Sequence, residues 1–274
     1  MKKNKLFLWR SSSSLLILGF VYAFLYVPIG FVVLFSFNKT SSLGVWEGAS
    51  LLWYKKLFSN QMLLRAFLNS LKVAFCAASL SVCIGTLCAL LFTRFRSFRW
   101  SAFFEILSVS PLVIPEVVIG LSFLFFFIIS EHTTGFPRGR GLLTITIAHT
   151  TVAIAYVSLI VRARLLEIDS FLEEAALDLG AKPKQVFFSI TLPLIKPALF
   201  ASWILAFTLS MDDLVIASFA SGPSSLTLPV VVFSTLKTGM TPEINALSTL
   251  IVFLVFSLGP MISIWVYKAF KKRT

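Results

Sequence analysis

Three carboxylates stand where a carboxylate is costly. Glu116 follows Pro115 and precedes a run of Val, Ile, Leu and Phe, while Asp212 and Asp213 close the apolar stretch Trp203-Ile204-Leu205-Ala206-Phe207-Thr208-Leu209-Ser210-Met211. An ionised side chain at the centre of a bilayer costs about 2.5–3.5 kcal/mol on insertion scales, so each acid needs a partner or a watery cavity. The chemistry open to such a set is electrostatic attraction of a cation. Aromatic faces add to that attraction for an ammonium group, and Trp203 and Tyr156 are the candidates. Two structural readings stand beside this one. Lys72 lies at a depth that would let it pair with Asp212, and Asp213 would cap a helix at a break. Neighbouring helical residues point about 100° apart, so the two aspartates cannot face one spot equally.

Other chemistry finds little support. No G-x-x-x-x-G-K-[ST] loop exists to cradle a triphosphate. His132 and His149 stand alone, without ligand partners at metal spacing, and Cys76, Cys83 and Cys88 share one apolar run, where they read as packing residues. The sequence predicts no metal, no cofactor in this chain and no Ser/His/Asp or Cys/His catalytic set.

The elements that must position the acids follow from composition. Of 274 residues, 57% are hydrophobic and 13% charged, against about 25% charged in an ordinary soluble domain. The net charge of +12 is spread in short basic clusters between apolar runs, an arrangement that orients a membrane protein and offers no face for nucleic acid. A bilayer core of about 30 Å needs roughly 20 apolar helical residues. Six stretches qualify: 15–37, 67–92, 102–129, 142–161, 198–220 and 244–267. The first is too long for a signal peptide and reads as a retained helix. With the N-terminus inside, sixteen Lys and Arg fall on the cytoplasmic side and seven outside, so both termini are expected in the cytoplasm. The segment 44–64, with Trp46, Trp53 and Tyr54, suits the outer membrane interface. Ala77, Ser81, Gly85 and Ala89 recur every four residues and suit close helix approach in lipid. The expectation is an all-α integral membrane protein of six transmembrane helices, with residues 1–274 as one domain.

The longest connection, 162–197, reads RARLLEIDSFLEEAALDLGAKPKQVFFSITLPLIKP. Ser170 and Glu173 form a capping box that would start a short helix. Leu172, Ala175, Ala176 and Leu179 then make one apolar face. Gly180 falls where a C′ glycine ends a helix, and Pro183 where the next begins. Pro193 is expected to interrupt that second helix. The result is a cytoplasmic helix–turn–helix elbow whose exposed apolar face implies a protein partner.

The spacing Glu174-Ala175-Ala176, Gly180, Ile190-x-Leu192-Pro193 resembles the EAA signature of ATP-binding-cassette (ABC) importer permeases. Seven such positions match by chance at roughly 10⁻⁸ per starting point at ordinary residue usage. The resemblance implies a type I ABC importer permease fold in which the elbow is the coupling helix, docked on a separate ATPase. The fifth-span sequence, Ser221-Gly222-Pro223, Pro242-Glu243-Ile244-Asn245-Ala246-Leu247, Tyr26-x-Pro28 and Ser36-Phe37-Asn38 are similar to polyamine (spermidine/putrescine) importer permeases, nearest the second of their two permease types. Membership of that family implies a bacterial inner-membrane subunit without enzymatic activity of its own. It also implies two cytoplasmic ATP-binding subunits that bind the ATP, a second and different permease, and an extracytoplasmic polyamine-binding protein. The lining acids would then attract a dication such as putrescine. The alternatives are an importer permease for another small solute and a secondary transporter, which would have no use for the elbow.

Overall fold

The computed structural model describes residues 12–41, 45–94, 101–169, 171–238 and 241–271, with side chains left undescribed at 12–14, 101, 238, 258 and 260–271. The helices are α1 (Ser12–Ser36), α2 (Leu52–Ser59), α3 (Gln61–Arg94), α4 (Ser101–Val109), α5 (Glu116–Thr134), α6 (Leu142–Glu167), α7 (Phe171–Asp178), α8 (Pro183–Val186), α9 (Leu192–Asp212), α10 (Val215–Ala220), α11 (Leu228–Thr238) and α12 (Pro242–Lys271). Among the described residues, five helical runs are long and apolar enough to cross a membrane: Leu15–Ser36, Gln61–Arg94, Glu116–Thr134, Leu142–Glu167 and Pro183–Asp212. The expected sixth span falls on α12, whose 30 residues are also long enough.

The chain folds as two units. One holds α1, α2 and α12. Its loop after α1 is tied by Asn38, whose Nδ2 donates to the Val45 carbonyl and whose Oδ1 accepts from the Glu47 amide. The Trp53 indole N–H donates to the Asn38 carbonyl at 2.7 Å, and Trp53 is buried. Only part of the predicted interfacial segment therefore lies at a surface: Trp46 is exposed, whereas Trp53 packs inward because its N–H has a partner there.

The other unit runs from Met62 to Ser234. Ala77, Ser81, Gly85 and Ala89 are all buried along α3. A Cβ placed on Gly85 would lie 2.8 Å from the Val157 Cβ of α6, so the small-residue stripe is the α3 face that α6 approaches. Val157, Val161 and Leu165 of α6, with Ile195 and Ala206 of α9, complete that core.

Two predicted spans are not continuous. The third is split into α4 and α5 by a 3₁₀ turn at Ser110–Leu112 followed by extended backbone at Pro115. Pro111 and Pro115 explain the break, because proline supplies no N–H and restricts the residue before it. The fifth stops at Asp212, and Asp213 is extended before α10 begins. Pro193, by contrast, does not interrupt its helix. A π-helical turn, Phe187–Thr191, joins α8 to α9, and the Leu192 amide donates to the Phe187 carbonyl five residues back. This wider turn accommodates the proline ring, which would clash with the carbonyl four residues back in a regular α-helix.

Candidate functional sites: an acidic cavity and a helical elbow

Both breaks open on the same cavity. It encloses about 270 Å³ and is lined by Glu116, His149, Tyr156, Ser210, Asp212 and Asp213, with Val152, Ala153, Ala206, Leu209, Leu214 and Ile216 as its apolar wall. Pro115 is the N-cap of α5 and Glu116 its first residue. Asp212 ends α9, and Asp213 turns the chain into α10, its Oδ1 accepting from the Ala217 amide at 3.1 Å. Non-helical backbone at membrane depth is tolerated where it lines a cavity and its polar groups are satisfied. The Asp213 cap supplies one of those partners.

The neighbouring elements fix this geometry. On α10, Phe219 packs on Gly120 of α5, where a Cβ would have no room. The Thr144 hydroxyl donates to the Ala220 carbonyl at 2.7 Å and the Arg140 guanidinium to the Phe219 carbonyl, closing the end of α10. Ser221, Gly222 and Ser225 then form a turn in which the Gly222 amide donates to Ser225 Oγ. The Ser70 hydroxyl of α3 accepts from the Leu228 amide that follows.

Of the sequence candidates, Glu116, Asp212, Asp213 and Tyr156 meet at this cavity and Trp203 does not. The Trp203 indole stacks on Phe207 and meets Phe75 edge-on, and its N–H donates to Ser79 Oγ at 3.2 Å. Among the described residues, Lys72 is exposed on α3 and forms no ion pair with either aspartate. The residue that sequence reasoning passed over is His149. It is buried, its Nδ1 lies 2.7 Å from Ser210 Oγ, and its Nε2 lies 3.9 Å from Asp213 Oδ1 with no hydrogen-bond partner.

The elbow forms as a second feature of the same unit. Ser170, the expected cap of α7, lies outside the described residues; Asp169 Oδ1 accepts from the Phe171 amide. Glu173 is engaged elsewhere, since its Oε1 accepts from Arg94 at 2.6 Å and from the Thr191 hydroxyl at 2.8 Å. It thereby ties α7 to the end of α3 and to the π-turn. Gly180 has φ +86°. Its amide donates to the Leu177 carbonyl and the Ala181 amide to the Ala176 carbonyl, at 2.9 and 3.0 Å. That pair is the Schellman arrangement that ends a helix. Leu179 is 90% exposed, with Phe171 at 72%, Phe188 at 63% and Leu172 at 51%. Glu174 and Ala175 are exposed beside them, while Ala176, Ile190, Leu192 and Pro193 are half-buried. On the way to the membrane, Arg162 pairs with Glu105 of α4 and Arg164 Nε donates to the Leu194 carbonyl of α9.

Comparison with known proteins places the chain. A protein from Escherichia coli K12 called putrescine transport system permease protein PotI is 47% identical over 256 residues, covering 93% of this chain and 91% of that protein. The Haemophilus influenzae spermidine/putrescine transport system permease protein PotC is 39% identical over 238 residues, covering 87% and 90%. In fold, the chain is similar to a bacterial ABC transporter involved in import of the acidic polysaccharide alginate, with a TM-score of 0.66 at 16% identity over 95% of this chain and 94% of the other. An amino acid ABC transporter matches with a TM-score of 0.53 at 19% identity over 79% and 98%. Residues 81–274 match the family model described as binding-protein-dependent transport system inner membrane component. The chain therefore belongs to that family, the membrane permease subunits of ABC importers, and is a transport subunit rather than an enzyme.

Proposed function

We propose that this permease forms half of the translocation pathway for a polyamine such as putrescine or spermidine. The observation that carries the reading is the cavity in which Glu116, Asp212 and Asp213 gather at two helix breaks. Three acids facing one space favour a polycation, and Tyr156 offers an aromatic face beside them. A lone solute carboxylate would be repelled there. The names of the relatives at 47% and 39% identity support the same substrate class.

The elbow is the ATPase-docking element, with Glu174, Ala175, Ala176, Gly180, Ile190, Leu192 and Pro193 supplying its fixed geometry. Its exposed apolar residues suit a cleft on a cytoplasmic partner. From Pro183 to Asp212 the chain is one continuous helical run, so movement at the elbow reaches Asp212 and the adjoining Asp213 along it. One elbow serves one ATP-binding subunit. A complete importer would pair this chain with a second, different permease over two ATP-binding subunits, fed by an extracytoplasmic binding protein. Both termini lie in the cytoplasm in this arrangement, and ATP is the partners' ligand, with no cofactor in this chain.

The test is putrescine uptake per assembled complex for Asp212→Asn and Asp213→Asn, each alone and with Lys72→Met. A pathway role predicts slowed uptake with assembly intact and no rescue by the Lys72 change. Normal uptake per complex in both single variants refutes the pathway role. Recovery of lost folded protein by Lys72→Met would make Asp212 a structural partner of that lysine.

A further inference from the structure

His149 carries a feature that the attraction of a dication does not use. Its side chain is 2% exposed, and Nε2 is buried without a hydrogen-bond partner, on the side of the ring nearest Asp213, where both residues line the acidic cavity. A buried polar atom left unpaired costs free energy comparable to a lost hydrogen bond. Asp213 Oδ1 lies 3.9 Å from Nε2, too far for a direct bond. Ser210 Oγ at 2.7 Å holds Nδ1. In the neutral tautomer whose Nδ1–H donates to that hydroxyl, Nε2 carries a lone pair on the side facing Asp213.

We infer that His149 Nε2 and Asp213 Oδ1 form a two-acceptor cradle for one primary ammonium group of the transported amine, a reading that rests on the cation pathway proposed above. The spacing fits this occupant. A nitrogen about 2.8 Å from both acceptors would see them at an angle of roughly 90°, so each ammonium N–H···acceptor bond bends by about 10° from straight, within the range hydrogen bonds accept. The division of labour is also chemically sensible. Asp213 supplies the charge and is already held by the Ala217 amide. His149 supplies a neutral acceptor that satisfies a second N–H without adding a fourth negative charge to the site. Asp212 and Glu116 remain for the rest of the polycation. The cradle therefore reads the hydrogens of the ammonium as well as its charge. A quaternary ammonium of equal charge offers no N–H and loses both bonds.

The experiment uses the complete permease–ATPase complex in lipid nanodiscs without the extracytoplasmic binding protein. It measures binding of radiolabelled putrescine and its displacement by the same four-carbon diamine permethylated at both nitrogens. The wild-type complex is expected to prefer the primary diamine by about tenfold or more, the size of one hydrogen bond to a charged group. His149→Leu should lose most of that preference. Because the preference is a ratio within one protein, a general loss of stability does not mimic it. An assembled His149→Leu complex with the wild-type preference overturns the cradle. If that variant fails to assemble, His149→Gln decides, since it keeps an acceptor: retained preference supports the cradle and lost preference overturns it. A closed His149–Asp213 pair, which admits no ammonium, predicts no preference even in the wild type. The aspartate variants separate the two readings. Unchanged diamine binding in both Asp213→Asn and Asp212→Asn removes the pathway itself, whereas weakened binding in either with an unaffected His149→Leu removes only the cradle.

Discussion

Gly180→Val is the perturbation that isolates the elbow's geometry from its contacts. Gly180 sits at φ +86° with open space around the position a Cβ would take. No clash arises, and the whole cost is conformational. An L-residue in the left-handed region costs about 1–2 kcal/mol, and a β-branched one falls at the upper end or beyond. Relief requires the turn to leave that region, which breaks the 2.9 and 3.0 Å hydrogen bonds to Leu177 and Ala176 and misdirects Leu179 and α8. A penalty of that size shifts the ratio of native to distorted elbow by a factor of about 5–30. The assay is uptake per ATP hydrolysed in reconstituted complexes, with ATPase association measured in parallel. Coupling should fall in the order Gly, Asn, Ala, Val, because asparagine tolerates the left-handed region best among the replacements. Full coupling and normal ATPase association in Gly180→Val, or a Gly180→Asn variant worse than Gly180→Val, refutes the reasoning.

Two further outcomes test the frame around the sites. Gly85→Leu should destabilise the chain by about 1–3 kcal/mol through overpacking of α3 on α6, and Val157→Ala should recover part of that loss; a thermal unfolding midpoint in detergent that does not move would contradict the packing face. Glu173→Gln should change stability by under about 1 kcal/mol, since the Arg94 pair is partly exposed. It should nevertheless lower coupling, and the exchanged pair Arg94→Glu with Glu173→Arg should restore some of it; coupling that stays normal in Glu173→Gln would mean that the tie from α7 to α3 is dispensable.

The helical spans and the elbow were readable in the sequence because each writes a local pattern. Long apolar runs mark the spans, and Gly180 and Pro183 mark a turn whose geometry depends on residues only a few positions apart. The breaks were harder, since hydropathy over a window of about 20 residues cannot tell one helix from two collinear pieces. Pro111 and Pro115 carry the signal for the third span, and the reading of Asp213 as a helix cap at a break agrees with its carboxylate accepting from the Ala217 amide. Pro193 misled for the opposite reason: a π-turn upstream absorbs the missing N–H, and nothing in the local residue types announces it. Trp53 was legible as amphipathic but not as buried, because its partner is the Asn38 carbonyl 15 positions away. His149 looks solitary in sequence because its neighbours arrive from far along the chain, Ser210 on α9 and Asp213 from the break that follows it, with 61 positions separating His149 from Ser210. A polar residue in mid-span, flanked by Thr150 and Thr151, was the available hint.

A cation that passes through the cavity bounded by Glu116, Asp212 and Asp213 must meet its wall during transport. The most direct measurement is the labelling rate of a single cysteine, Tyr156→Cys, in a complex whose Cys76, Cys83 and Cys88 are replaced, using a cationic thiol reagent during ATP turnover. Tyr156 lines the cavity without being one of its charges. Labelling is expected to be faster with a cationic than with an anionic reagent of equal size, to slow in proportion to putrescine occupancy, and to leave a complex that no longer imports. Labelling indifferent to reagent charge and to putrescine, or full import by the labelled complex, would contradict passage through this cavity.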